Sequence, residues 1–439
     1  MAPHHCRFCE QELTHEVVDL GASPLANAFL DPEQAAQPET HYPLRVFVCE
    51  HCWLVQLPEW QAPAEIFDAD YAYFSSYSDS WLRHARAYVT HMQAEYDIGP
   101  HDFVVEVASN DGYLLQYFAD EGVPVLGVEP ARNVAQAAVD KGIPTVPAFF
   151  GARRARELRR THRPADLLVG NNVLAHVPQL NDFVRGLRLL LAPEGILTIE
   201  VPHLLRLLQE NQFDTIYHEH YSYFSLLTLE RIFSAHGLRI FDVRELPTHG
   251  GSLRVYAQRE TATTRPATAR VERLRTRESE AGLDRLETYR QFGPRVAALK
   301  RQLLHFLLCA QKEGRTVAGY GAPAKGNTLL NYCGIRPDLL PYTVDRSPRK
   351  QGRFLPGSRI PVYAPEKIAE TRPDYILILP WNLREEIVAQ MTHVRDWGGV
   401  FVTPIPELTV IPAATHADGR PPRGSRPRRR TGPLTFPSA

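Results

Sequence analysis

The run at 213–224 reads Phe-Asp-Thr-Ile-Tyr-His-Glu-His-Tyr-Ser-Tyr-Phe. Within it, Tyr217, His218, Glu219, His220 and Tyr223 can each accept, donate or relay a proton. Packing explains such a cluster poorly, because every buried imidazole or carboxylate demands a partner of its own. A histidine beside a glutamate is also the usual recipe for a general base near neutral pH. The competing reading is a polar loop that caps the next helix. Ser225 and Thr228 are N-cap candidates, Leu229, Ile232 and Phe233 recur at helical spacing, and Gly237 would close the helix. A cap needs one hydroxyl rather than the whole constellation, so catalysis is favoured.

Four of the six cysteines form a second chemical group. Cys6-Arg-Phe-Cys9 and Cys49-Glu-His-Cys52 each offer two thiolates on one tight turn. Two such turns facing each other make a tetrahedral four-sulfur site, the closed geometry of structural zinc. The gap between the pairs is longer than in a common zinc ribbon. A redox dithiol would want a βαβ setting that this stretch lacks. Cys309 and Cys333 read as single buried thiols.

The elements that must position these groups alternate from residue 101 onward. Apolar strands are predicted at 103–108, 125–129, 143–146, 166–170 and 195–201, with helices between them. That is a doubly wound α/β domain, which binds ligands beyond the carboxyl ends of its strands. Glu106 lies inside the first strand, before the turn Ser109-Asn-Asp-Gly112, and Glu129 ends the second. An acid at the end of strand two commonly takes ribose hydroxyls. The turn has one glycine and an acidic Asp111, whereas a pyrophosphate cradle wants several glycines. An adenosyl ligand without phosphates, such as S-adenosylmethionine, therefore fits better than NAD, and its sulfonium suits an acidic mouth. An α/β sheet without a cofactor is the alternative.

Further along, His249-Gly-Gly reads either as a turn where backbone approaches a ligand or as a plain hairpin. Residues 261–313 read as mostly helical, broken at Gly293-Pro294. A second α/β unit begins at Arg315, where Gly319, Gly321 and Gly326 form a loosened dinucleotide fingerprint. Lys325 and Asn327 fall where a helix starts, and a strand at 375–379 runs into Trp381 and Asn382; a nucleotide diphosphate could bind there. Tyr71, Tyr73 and Tyr77 crowd residues 68–80, either as a loop or as a pocket wall. The boundaries expected are 1–75 for the zinc domain, 76–260 for the central domain, 261–412 for the bridge and C-terminal α/β domain, and 413–439 for a disordered tail.

Hydrophobic content of 44% and charged content of 23% describe a soluble globular chain. No apolar run reaches the ~18 residues of a membrane span. The N-terminus lacks the order of a signal peptide, so a cytoplasmic location is expected. Net charge is −1, but six arginines and one acid lie beyond residue 413, which leaves 43 basic and 49 acidic side chains. A body of that sign is not built for a phosphate backbone. No nucleic acid or membrane partner is therefore expected.

The motifs E-V-A-S-N-D-G-Y-L-L, N-N-V-L-A-H-V-P, I-Y-H-E-H-Y-S-Y-F-S, P-T-H-G-G-S-L-R and G-Y-G-A-P-A-K-G-N, after the paired C-x2-C, occur in this order. The chain closely resembles the bacterial sugar C-methyltransferases, including those acting on dTDP-4-keto-deoxysugars in antibiotic pathways. The resemblance covers roughly residues 4 to 410. It implies a zinc-bearing N-terminal domain, a central S-adenosylmethionine domain of Rossmann type, and a C-terminal α/β domain that helps hold a nucleotide sugar. It implies His220 as general base with Tyr217 and Glu219 beside it, and Tyr73 reaching the sugar. Asn110, Gly112, Glu129, Phe150 and Asn171 are implied cofactor contacts, and Glu106, from its place in the first strand, is a further cofactor-binding candidate. Tyr223, His249, Lys325, Asn327, Trp381 and Asn382 are the substrate candidates, and a monomer is expected. Ala108 stands where the family usually has glycine, and a methyl there is tolerated if the backbone stays extended. The rival activities are O- or N-methylation of a small molecule, an NAD-dependent sugar-nucleotide oxidoreductase, and a zinc-dependent binding module.

Overall fold

The computed structural model describes residues 4–61 and 74–411. The readings at Tyr71, Tyr73 and the Arg-rich tail lie outside the described residues. The chain divides into two units. One comprises residues up to Ala26 together with Glu39–Ala298, and the other Asn27–Pro38 together with residues from Leu299 on.

In the first unit, β1 (His15–Ser23), β2 (Tyr42–Val48) and β3 (Val55–Gln56) form an antiparallel ribbon. The chain then builds β4 (Val104–Val107), β5 (Val125–Val128), β6 (Thr145–Val146), β7 (Ala165–Asn171) and β8 (Leu191–Pro202). Next come the short β9 (Ser222–Tyr223), β10 (Leu238–Leu246) and β11 (Ser252–Arg259). Seven of these make one sheet in the order β10-β11-β8-β7-β4-β5-β6. The strands from β8 to β6 run parallel, and β11 enters antiparallel between β8 and β10.

The sequence explains the centre. Every residue of Val104-Val-Glu-Val is buried, as a strand covered on both faces requires. After β4 the chain winds outward through β5 and β6, then returns to place β7 on the other side of β4. The switch point therefore lies between β4 and β7, whose carboxyl ends open the crevice. One face is covered by the helix Asp79–Tyr96, which buries Trp81, Ala85, Tyr88, Val89 and Met92 at helical spacing. That helix starts where the Ser78 side chain accepts from the Trp81 N–H and stops at Asp97 in a left-handed conformation.

The short β9 does not join the large sheet. It pairs antiparallel with β3, so the N-terminal sheet has the order β1-β2-β3-β9. Helices follow at Ala269–Glu280, Leu286–Arg290 and Phe292–Lys312. The break falls at Gln291, just before the expected Gly293-Pro294, because proline fits the first turn of a helix, where its missing N–H is not needed.

The second unit has β12 (Val317–Tyr320), β13 (Thr343–Val344), β14 (Val362–Tyr363), β15 (Tyr375–Ile378), β16 (Val400–Thr403) and β17 (Thr409–Ile411). Their order is β14-β13-β12-β15-β16-β17, parallel except for β17. Cys333 is buried as expected, but Cys309 is only half-buried, on the helix Phe292–Lys312.

Candidate active site and zinc centre

At the end of β4, Glu106 is fully buried. Burial holds its carboxyl well above the usual range; Tyr113 opposes this and the nearby Glu129 and Asp111 add to it. The chain then turns sharply, with Ala108 at φ +57, Asn110 at +49 and Gly112 at +76. Ala108 is thus left-handed rather than extended, at a cost of about 1–2 kcal/mol for a residue with a Cβ. The hydrogen bonds show why the turn is held. The Ala108 N–H donates to the Val128 carbonyl at 2.7 Å. The Asn110 and Ala131 N–H groups donate to the two carboxylate oxygens of Glu129 at 3.0 and 2.9 Å. The carboxylate is thus held between the turn, through Asn110, and the start of the next helix, through Ala131. Burial pushes Glu129 up to about 7, with the two backbone N–H groups pulling down. At Gly112 a Cβ would lie 3.0 Å from Ile143 Cγ1.

Asn110 Oδ1 accepts from the Ser75 N–H at 2.8 Å, and Asp111 pairs with Lys141 at 2.8 Å. At the end of β7, Asn171 Nδ2 donates to the Tyr113 hydroxyl at 3.3 Å. Asn171 Oδ1 and Asn172 Oδ1 are buried without a hydrogen-bond partner among the described residues. Phe150 meets Phe183 edge-on at 5.4 Å, in the segment leading into the helix Ala152–Thr161. Glu106, Asn110, Gly112, Glu129 and Asn171 are therefore gathered at the carboxyl ends of β4, β5 and β7.

The 213–224 loop reaches the same edge. The Tyr221 N–H donates to the Ala175 carbonyl at 2.8 Å, four residues beyond the end of β7. His220 packs edge-on to His176 with ring centroids 4.8 Å apart. Its Nδ1 lies 2.8 Å from the Thr215 carbonyl oxygen. A carbonyl only accepts, so Nδ1 carries the hydrogen and Nε2 keeps the lone pair. The Tyr217 ring lies 3.9 Å from the His220 ring, and the Tyr223 ring 6.4 Å. Burial raises the Tyr223 phenol, opposed by the Arg7 charge and a bond to the Tyr217 backbone. Glu219 is buried.

The five-group cluster does not stay together. His218 turns toward the N-terminal sheet, its Nε2 3.2 Å from the Pro43 carbonyl and its ring against Tyr42. It is a strap between elements. Its place beside His220 is taken by His176, to which sequence reasoning assigned no role. Burial lowers His176 to about 4, partly offset by a hydrogen bond to the Glu219 backbone. The only signal was its place in the Asn171-Asn-Val-Leu-Ala-His run, where a single histidine among apolar residues reads as core.

A second polar group also escaped the sequence reading. Glu200 on β8 and Arg254 on β11 are register partners and form a buried ion pair. His84 Nε2 lies 3.0 Å from Glu200, and the Thr248 hydroxyl donates to its other oxygen at 3.0 Å. Burial would raise Glu200, but Arg254 and His84 bring it down to about 2. Trp81 stacks on His84 at 4.8 Å and on Tyr113 at 5.9 Å, and meets His249 at 5.1 Å. His249 Nε2 lies 3.4 Å from Asn172 Nδ2, so this group continues the wall that begins at β7. The signal was one opposite charge inside each of two apolar strands.

The four sulfurs of Cys6, Cys9, Cys49 and Cys52 lie within 4.8 Å of one another. Cys6 and Cys52 are 3.5 Å apart, and Cys9 and Cys49 3.4 Å. Zinc–sulfur bonds of about 2.3 Å in a tetrahedron put sulfurs roughly 3.8 Å apart, so the four thiolates fit zinc. In the second unit, Lys325 Nζ donates to Asn382 Oδ1 at 3.0 Å and sits 4.7 Å from the Trp381 ring centroid. Asn327 is buried on the helix Ala324–Cys333. The glycines there serve close packing: a Cβ at Gly321 would meet Pro380, one at Gly319 Thr343, and one at Gly326 Leu379.

Three family models match the chain. A C-methyltransferase C-terminal domain covers residues 247–406, a zinc binding domain 6–67, and a methyltransferase domain 81–243. The C-methyltransferase NovU of Streptomyces niveus is 41% identical over 410 residues, 93% of this chain and 97% of that one. Among solved structures, magnesium protoporphyrin IX methyltransferase from Synechocystis with bound SAH is 14% identical over 40% of this chain and 83% of that one, with a TM-score of 0.33. Identity at that level across nearly the whole of NovU, over a sheet with its crevice at the β4–β7 switch point and four clustered thiolates at the N-terminus, makes this chain a member of the zinc-binding, S-adenosylmethionine-dependent C-methyltransferase family.

Proposed function

We propose that the enzyme methylates a carbon next to the keto group of a nucleotide-linked 4-keto-deoxysugar, with His220 as the base. One observation carries this reading. The Thr215 carbonyl fixes the proton of His220 on Nδ1, which leaves Nε2 with its lone pair. S-adenosylmethionine supplies an electrophilic methyl. A keto group acidifies the neighbouring carbon, and Nε2 of His220 takes that proton. The resulting enolate needs hydrogen-bond donors, and Tyr217, with its ring 3.9 Å from that of His220, is the candidate among the described residues; Tyr73 is the other. Glu129, Asn110 and Asn171 would hold the adenosyl part. His249 and Tyr223 are candidate contacts to the sugar. Taken by itself, the second unit offers Lys325, Asn327, Trp381 and Asn382 as candidates for binding a nucleotide diphosphate.

The test is proton exchange in deuterated water with dTDP-, UDP- and GDP-linked 4-ketosugars. The wild type should exchange the proton on the carbon it methylates, and His220→Asn should abolish both exchange and methyl transfer. Exchange by that variant at the wild-type rate would reject His220 as the base.

A further inference from the structure

The four cysteines sit in turns beside the small sheet that β9 joins, two of them between β2 and β3, and the Gln56 side chain links that sheet to the first cysteine turn. Gln56 is buried on β3. Its Nε2 donates to Cys6 Sγ at 3.1 Å, and its Oε1 accepts from the Arg7 N–H at 2.9 Å. Both ends of the amide are therefore committed to the first metal-binding turn. The backbone of the same residue pairs with Ser222 on β9, and that of Val55 with Tyr223. Beside them, the Leu57 N–H donates to the Tyr221 carbonyl at 3.0 Å. The Arg7 guanidinium donates to the Leu57 carbonyl and lies over the Tyr221 ring, 5.3 Å from its centroid. His220 is thus followed directly by three residues fastened to β3. On its other side, Tyr221 is tied to Ala175.

A two-residue strand is too short to hold itself. Isolated ribbons of this kind are marginal; among the described residues β9 pairs in its sheet with β3, and the next residue, Phe224, bridges to His203. What fixes β3 therefore helps to fix the loop on the side that carries His220. An N–H donated to a metal-bound thiolate orients the ligand and is oriented by it.

We propose that Gln56 is a positioning residue through which the zinc centre holds the His220 loop against the end of β7. The functional consequence rests on the reading of His220 as the base. The positional coupling does not, which lets the two fail separately.

The experiment uses the full-length protein with zinc in excess, because loss of a bond to a metal ligand weakens metal affinity about 10–100-fold. Gln56→Met removes both amide contacts, and Gln56→Glu keeps an acceptor for Arg7 while removing the donor to Cys6. Hydrogen exchange is read by peptide, together with zinc content, SAH affinity and turnover. Both variants should speed exchange at 217–223 by about tenfold or more and leave 104–112 unchanged. Turnover should fall by a similar factor, with SAH affinity within about twofold of wild type. Wild-type exchange at 217–223 in either variant, with zinc retained or lost, overturns the coupling. Equal acceleration at 104–112 overturns it too, since that is general loosening. Faster loop exchange with unchanged turnover keeps the coupling and rejects the catalytic reading of the loop instead.

Discussion

The Glu200–Arg254 pair offers the sharpest energetic test of the site's framework. The two side chains are 0% and 4% exposed and face each other across β8 and β11. Replacing Arg254 with methionine keeps the volume and removes the charge, leaving a buried carboxylate with His84 as its remaining basic neighbour among these contacts. Two routes give the size of the loss. Breaking a buried pair by deleting one member typically costs about 3–5 kcal/mol. Independently, Glu200 is held at about 2 instead of 4.5. At about 1.4 kcal/mol per pH unit, that lowering corresponds to roughly 3 kcal/mol, the net of Arg254 and His84 together against burial, and so sets the scale of the loss.

The direction with pH follows. In the wild type a lowered carboxyl contributes stability that is present above about pH 4.5 and is lost as the pH falls toward 2. In Arg254→Met burial is no longer opposed by the guanidinium, so the carboxyl moves upward, and the variant loses stability as the pH rises from 5 to 8. Urea unfolding at pH 5, 7 and 8, followed by circular dichroism, reads both effects. The double variant Glu200→Gln with Arg254→Met should recover more than half of the loss, because the stranded charge is gone. A loss under about 1 kcal/mol at pH 7, or a variant that becomes more stable between pH 5 and 8, would show that the pair is not desolvated.

Glu129 has the opposite sign: its carboxyl is raised to about 7, so the ligand-free protein should lose up to about 3 kcal/mol as the pH climbs from 4.5 through 7. Glu129→Gln should flatten that slope in urea midpoints and weaken SAH binding at least tenfold by calorimetry. Ala108→Gly relieves a left-handed Cβ but frees the unfolded chain, so it should gain about 1 kcal/mol at most, whereas the β-branched Ala108→Val should lose more than about 1 kcal/mol. Chelation should remove about one zinc per chain, measured by metal analysis, and speed amide exchange throughout β1–β3.

Much of this arrangement was legible. Strands β4, β5, β7 and β8 announce themselves because an interior parallel strand must be apolar on both faces, and the paired C-x2-C turns because few other uses need four thiolates so spaced. The 213–224 cluster was legible as a set of polar groups but not as geometry. His218 parts from His220 to meet the Pro43 carbonyl, 175 residues earlier in the chain. The pairing of β9 with β3 is a two-residue contact with no periodicity to detect. Ala108 could not be read at all. Alanine carries no preference for a left-handed turn, and what holds it there are long-range bonds, from its own N–H to the Val128 carbonyl and from the Asn110 N–H to the Glu129 carboxylate just past the next strand.

Those features share a physical character. Left-handed Ala108 and Asn172, the buried carboxyl of Glu129 and the unpaired Oδ1 atoms of Asn171 and Asn172 are each unfavourable alone. A buried acceptor without a donor costs about 1–3 kcal/mol. They are not scattered through the fold, for all lie where β4, β5 and β7 end. Around them the large sheet is packed mostly from apolar side chains, and its other buried charges at Glu200 and Arg254 are paired. Acceptors and acids concentrated in one crevice suit a ligand that brings hydroxyl and ammonium donors and a positive charge, as S-adenosylmethionine does. The same crowding would be costly opposite a pyrophosphate. At this crevice the departures from local rules of sequence coincide with a chemistry suited to a methyl donor rather than a dinucleotide.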